Sequence, residues 1–331
     1  MPLPGPETCH IRLAPGPAGR MAVRVEGRRL GPVRGLFAGR PSAEAPALAR
    51  RLFPVCGAAQ EIATARAIEA AQDRRAPKGV VAARARMLTA EAGFAHVWRA
   101  AIDWPRLLGR PPQVGAAKAA RAALARLEQG MNARAAGELA DLLEDATLFT
   151  PVEMALKARL DPCLWSSLDA PLGPRPAAWF ARHLATTPSF AIQPEVAGAP
   201  ADPLPGLSKG ARLADRLDAL REAARGLARA LRDGPAPEAE TTLHRPGRDT
   251  GCGVAQTARG PLACLVRLDA GCVAEMRVIA PTEWVMHPQG ALARALGLLT
   301  GPDTRARAQA LVALFDPCAE LRLEMPEAAH A

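Results

Sequence analysis

The most restrictive feature of this chain is an apolar seam in its second half. Leu213, Leu217, Leu220, Ala224, Leu227 and Leu231 recur at steps of four and three, with arginines and acids between them. That spacing puts all six on one stripe of a helix over 209–232, with Ser208 placed to cap it. Such a helix gains its stability by covering the stripe, so the spacing predicts packing into a helical bundle. A coiled-coil dimer along the same seam is the alternative. Helical spacing recurs at about 79–102, 113–130, 134–146, 174–186, 288–299 and 303–314. Ser42 is placed to cap a helix carrying Ala45, Leu48, Ala49 and Leu52. Over 55–72, Cys56, Ala59, Ala63, Ala67 and Ala70 form a face of small residues that permits close packing.

The rest of the chain is organised around these helices. Residues 1–41 are a leader rich in Pro, Gly and Arg, with one short strand expected at 21–25. Residues 42–331 read as a single domain, helical over 42–232, a loop over 233–250, then a hairpin and C-terminal helices over 251–331. The hairpin is expected from β-prone runs at 262–268 and 272–279, joined by Asp269-Ala270-Gly271. A final strand is expected at 320–325. The fold class is mostly α, with a small antiparallel sheet near the C-terminus.

Composition narrows the function. Of 42 basic residues four are lysines, Tyr is absent, and aromatics make up 4 %. The net charge of +9 is spread along the chain without dense basic blocks or aromatic interleaving, which argues against nucleic-acid binding. No apolar run is long enough for a transmembrane helix, and the first residues do not read as a secretory signal. Seven cysteines at irregular spacing (Cys9, Cys56, Cys163, Cys252, Cys264, Cys272, Cys318) argue against a disulfide framework and for a cytoplasmic protein. There is no P-loop, dinucleotide-binding glycine motif, zincin helix, nucleophile elbow or Cys-x-x-Cys pair. The spacing of Cys252, Cys264 and Cys272 is not diagnostic of a site, and buried structural thiols are expected because free cysteine is among the most buried residue types. The histidines, His10, His96, His183, His244, His287 and His330, show no metal-ligand spacing and are expected to be structural or solvated.

Four segments carry a resemblance. Cys56 lies in ARRLFPVCGAAQEIATARAIEAA, and Cys318 in LVALFDPCAELRLEM. Between them come Thr-Ala-Arg-Gly at 257–260 and Pro-Thr-Glu-Trp at 281–284. In this order they resemble the N-terminal cysteine motif, the arginine hairpin, the Pro-Thr-x-Trp segment and the C-terminal Asp-Pro-Cys motif of nickel–iron hydrogenase large subunits. The departures are equally informative. Phe53 and Pro54 stand at the first Cys-Gly, Gln60 at the following His, Leu321 at the last Cys and Glu324 at the last His. Ala258 replaces the Pro before Arg259-Gly260, and Val285 the Asn after Trp284. The pattern is similar to hydrogenase expression/formation proteins of the HupK type, degenerate relatives of the large subunit that assist hydrogenase assembly.

The resemblance implies a shortened large-subunit-like fold and an accessory, non-enzymatic role in maturation. It implies Cys56 and Cys318 as metal-facing thiolates, the first matching a bridging cysteine and the second one terminal on nickel. Arg259 and Thr282 are the implied hydrogen-bond donors toward cyanide, with Asp316, Pro317, Gly260 and Trp284 as supporting motif residues. Gln60, one helical turn after Cys56, shares its face and is expected as another donor. Two thiolates are half of what a nickel–iron site needs, so no stable nickel is expected. They suffice for a transient iron–dicyano–carbonyl fragment. The implied partners are the maturation chaperone that carries this fragment and the large-subunit precursor, with no nucleic acid and no membrane. The same residues also suit a metal-free mimic of the large subunit that docks maturation proteins. A hydrogenase-like redox enzyme is the remote third reading. Without the terminal cysteine–histidine unit, no proteolytic trimming of the C-terminus is expected.

Overall fold

The computed structural model describes residues 8–17, 20–26, 33–53, 55–130, 132–159, 177, 181, 213–235, 242–286, 290–301, 303–318 and 320–325. Strands β1 (Thr8–Pro15) and β2 (Met21–Glu26) open the chain. Helices α1 (Val33–Phe37), α2 (Ala45–Leu52), α3 (Gly57–Ala71) and α4 (Lys78–Trp98) follow. A π-helical turn, Arg99–Asp103, joins α4 to α5 (Trp104–Leu107). Then come α6 (Val114–Glu128), α7 (Ala133–Glu144), α8 (Ala146–Arg159) and α9 (Leu213–Asp233). Strands β3 (Leu243–Gly247), β4 (Thr250–Thr257), β5 (Gly260–Asp269) and β6 (Cys272–Ile279) form an antiparallel sheet in that order. The chain continues through α10 (Pro281–Val285), α11 (Ala291–Gly297), α12 (Thr304–Phe315) and β7 (Glu320–Glu324).

The leucine seam behaves as its spacing predicts. Leu217, Leu220 and Ala224 are buried, and Leu227 and Leu231 pack against the same core as Leu139, Leu143, Leu148 and Trp104. The seam is therefore covered by α4, α7 and α8. Arg221 supports α9 from its flank, stacking on Phe149 at 4.2 Å and donating to the Leu143 carbonyl at 2.7 Å.

A second core lies between α3 and the antiparallel sheet. The small face of α3 allows its backbone to lie directly on β4. A Cβ at Gly251 would sit 2.0 Å from the Ala67 carbonyl oxygen, and one at Gly253 would sit 2.3 Å from that of Ala63. Only glycine fits at these two strand positions. The central strands β4 and β5 are buried on both faces, so their thiols, Cys252 and Cys264, are inert, whereas Cys272, expected to be buried with them, is half-buried at the start of β6. Cys264 is pushed up to about 12 by burial despite a hydrogen bond from Thr64, and Cys252 is raised further by burial and by Cys264. The hairpin forms as expected, with Ala270 and Gly271 at φ 47° and 80°, the pattern of a two-residue primed turn.

Three expectations need correction. The 1–41 leader holds two strands and a short helix rather than one strand. Its β1 pairs antiparallel with β2 and parallel with β7, Ile11 lying opposite both Val25 and Leu323. The 233–250 loop contains strand β3, because Leu243 and His244 pair with Gly253 and Cys252. Ser42 does not cap α2. Glu44 holds that position, while the Ser42 amide donates to the Gly271 carbonyl at 3.0 Å, docking the entry of α2 on the hairpin turn. The expected helix at 174–186 falls mostly, and Ser208, Pro54 and Cys163 wholly, outside the described residues.

Candidate functional site

Arg259 stands at the centre of the site. It lies in the tight turn between β4 and β5, where the Thr257 hydroxyl accepts from the Arg259 amide at 3.1 Å and donates to the Gly260 carbonyl at 2.8 Å. Gly260 takes φ 124°, a value that favours glycine. The guanidinium thus reaches the end of α12, 57 positions away. Its Nε donates to the Asp316 carbonyl at 2.8 Å, and its Nη2 lies 2.8 Å from Asp316 Oδ2.

Asp316 ends α12 in the left-handed region, at φ 44° and ψ 55°. Pro317 follows, and a proline restricts the residue before it. Such a backbone costs about 1–3 kcal/mol and persists only when its surroundings hold it. Here Arg99 adds two more donations to Oδ2, from Nε at 3.1 Å and Nη2 at 2.7 Å. Two residues on, the Cys318 amide donates to the Thr282 hydroxyl at 2.8 Å. Thr282 is buried in the first turn of α10.

Cys56 comes from the other end of the chain. It is the N-cap residue of α3. The first turn of α3 is tied down by Glu91 of α4, whose two carboxylate oxygens accept from the Ala58 and Ala59 amides at 2.7 and 3.0 Å. Burial raises the Glu91 pKa, and those amides and Arg50 oppose the rise. Arg50 in turn links α2 to Glu61 and Glu128 at 2.7 and 2.8 Å. Gln60 stands one turn after Cys56, with its Nε2 3.9 Å from the Cys56 sulfur, and its Oε1 is buried without a partner among the described residues.

The electrostatics bring these parts together. Burial pulls the Arg259 pKa down, but Asp316, Cys318, Cys56 and Asp103 raise it, and the net change is upward. Both half-buried cysteines therefore bear on one guanidinium. Sequence reading missed His96, Arg99 and Asp103, which complete the cluster. His96 is buried, and burial, Arg99 and Arg259 hold its pKa well below the usual imidazole value, so it is neutral. Asp103 is raised to about 6 by burial and then by Asp316, against the pull of Arg99, Arg259 and a hydrogen bond from Trp98. A signal was present: Arg99 and Asp103 are the charges in the apolar run 94–105, and a buried charge needs a partner.

The departures from the large-subunit motifs have become structural. Phe53 is buried beside Phe37 and Ala49. Leu321 packs on the main core. Glu324 accepts from His10 and Arg12, each at 2.7 Å. Among the described residues no three His, Cys, Asp or Glu side chains are placed to share a metal ion. Trp284 lies in α10, but its side chain is outside the described residues, as is all of His287.

The chain is 30% identical over 306 residues to the hydrogenase expression/formation protein HupK of Azotobacter vinelandii, covering 84% of this chain and 86% of that protein. It belongs to the HupK family of hydrogenase expression/formation proteins. Two further members agree. HupK of Bradyrhizobium diazoefficiens is 28% identical, covering 93% of this chain and 94% of its own. HoxV of Cupriavidus necator is also 28% identical, covering 88% and 90%. No family model matches. Among solved structures, the Ni-Fe-Se hydrogenase from D. vulgaris Hildenborough superposes with a TM-score of 0.66 at 15% identity, covering 94% of this chain and 98% of that chain. An NAD+-reducing [NiFe]-hydrogenase gives 0.54 at 16%, covering 91% and 93%. The HupK-type chain thus has the fold of a nickel–iron hydrogenase large subunit, as its motifs imply. No helix among the described residues is long and apolar enough to cross a membrane.

Proposed function

We propose that this chain is an accessory scaffold in nickel–iron hydrogenase maturation, holding an iron–dicyano–carbonyl fragment transiently and turning over no hydrogen itself. The names of its relatives support the maturation role. One arrangement supports the cargo. Arg259 holds Asp316, two residues before Cys318, and the Cys318 amide donates to Thr282. The charges of Cys318 and Cys56, from opposite ends of the chain, both push the Arg259 pKa up. Soft thiolates suit low-spin iron, and an iron atom that brings its own cyanides and carbonyl needs few protein ligands. Cyanide nitrogens accept hydrogen bonds. The Arg259 guanidinium, the Thr282 hydroxyl and the Gln60 amide are the donors at this place. For Gln60 the donor is Nε2, 3.9 Å from the Cys56 sulfur; its Oε1, which can only accept, is buried without a partner among the described residues. Two thiolates leave nickel without half of its usual ligands, so nickel is not retained. The partners are the chaperone that delivers the fragment and the large-subunit precursor.

A second reading has its own support. Phe53, Leu321 and Glu324 have been absorbed into packing and ion pairs, as in a mimic that docks maturation proteins without metal. Infrared spectroscopy on protein purified anaerobically from its native host separates the two. Bands from iron-bound cyanide and carbonyl, lost in Cys56→Ser and Cys318→Ser, are the expected result. No bands in a folded, partner-bound preparation would replace the scaffold with the mimic.

A further inference from the structure

We propose that Arg99 is a positioning residue for Cys318, acting through the carboxylate of Asp316. Its side chain is 3 % exposed, and its guanidinium gives two donations to one oxygen of Asp316. Burying a guanidinium is costly unless it is paired, so the pairing accounts for where it lies. What it pairs with is a left-handed residue in front of a proline, two positions before Cys318. Arg259 holds the carbonyl of Asp316 with one nitrogen and Oδ2 with another. Without Arg99, Oδ2 loses two of its donations and keeps only the Arg259 contact, so the turn is held from the β4–β5 side alone. The remaining tie, from the Cys318 amide to the Thr282 hydroxyl, lies beyond that contact.

The π-helical turn delivers the guanidinium. The Trp104 amide donates to the Arg99 carbonyl, spanning five residues instead of four. An inserted residue of this kind turns the following side chains to a new face, and such turns concentrate at functional sites. Arg99 and Asp103 open and close this turn, and each interacts with Arg259 or its partner Asp316. Arg99 thus ties the middle of the chain to the turn at Asp316 through that carboxylate, beside the donation from Trp104 Nε1 to the Ala313 carbonyl at 3.4 Å.

The inference rests on the iron reading only for its consequence, that Cys318 is set for a ligand. Its test needs no iron. In the reduced full-length protein, the alkylation rate of each cysteine by iodoacetamide is followed by mass spectrometry, with Cys272 of the β5–β6 hairpin as internal reference. Arg99→Met should change the Cys318 rate about fivefold while leaving the Cys272 rate near wild type. Arg99→Lys, which keeps the charge but loses the fork, should restore part of the wild-type rate. Asp316→Asn should give the same change as Arg99→Met, and the double variant no more than either alone. An unchanged Cys318 rate in Arg99→Met, or effects that multiply in the double variant, would overturn the proposal. Should Arg99→Met not fold, the Arg99→Lys rate alone and in the Asp316→Asn background decides by the same criteria. Infrared bands absent from the wild type would remove the iron fragment and leave this coupling standing. Bands present beside an unchanged Cys318 rate would do the reverse.

Discussion

The two cysteines of the site are held by different physics. Cys56 begins a regular helix, fifteen residues long, that lies on a sheet at glycine distance, and Glu91 fastens its first turn. Its position follows from close packing and local backbone order. Cys318 sits in irregular chain between a helix and a strand. Its neighbour Asp316 is fixed by Arg99, 217 positions away, and its own amide by Thr282. Its position follows from buried charge and single hydrogen bonds across long separations. The first half should be hurt most by added volume, the second by loss of a buried charge.

The largest effect should fall on the charged half. Asp316→Ala leaves Arg99 and Arg259 buried without their shared carboxylate, and should cost about 3–5 kcal/mol in urea unfolding. A cost near zero would show that the cluster is dispensable. Gly253→Val is the matching insult to the packed half. Its side chain must displace the α3 backbone, and about 3 kcal/mol is expected by the same measurement. Smaller changes sharpen the contrast. Glu91→Ala strips two amides of their acceptor and should cost about 2 kcal/mol, with faster amide exchange at Ala58 and Ala59. Thr282→Val should cost about 1 kcal/mol and speed exchange at the Cys318 amide, leaving Ala58 and Ala59 protected.

The smallest predicted effect is a pH slope. Asp103 keeps its proton up to about pH 6 in the folded chain, against an ordinary 3.8. The folded state binds that proton more tightly than the unfolded one. Its contribution to stability is therefore full below 3.8 and is lost as pH rises through 6. Between pH 5 and 7.5 the wild type should lose about 1 kcal/mol that Asp103→Asn does not lose, read from urea midpoints. Equal slopes in the two proteins would place Asp103 outside the cluster.

The same division explains what could be read from residues alone. The α3 half was legible because small residues at helical spacing state a close helix contact, and the Cys56 motif marks where that helix begins. The α9 seam was legible for the same reason. The charged half was legible only at its motif ends, Arg259, Thr282 and Asp-Pro-Cys. The π-helical turn depends on one inserted residue that no periodicity announces, so Arg99 passed as an ordinary position of the helix expected at 79–102 and Asp103 fell just beyond it. His96 was read as structural or solvated; its burial beside two guanidiniums needed the tertiary fold. Strand β1 was hidden by the prolines around it, and β3 by the Pro-rich stretch that contains it. Both are strands through pairing with distant partners rather than through their own pattern.

The parallel pairing of β1 with β7 has a consequence in time. Arg12 and Glu324, which meet across these strands, are 312 positions apart. Closing so long a segment costs about 5 kcal/mol of chain entropy before any contact repays it. At ribosomal speeds, β1 waits roughly 15–60 s for its neighbour to be made. Throughout that interval the nascent chain can show α3 and Cys56 to the cell, but not Cys318. A factor that engages both cysteines therefore senses that synthesis has passed α12.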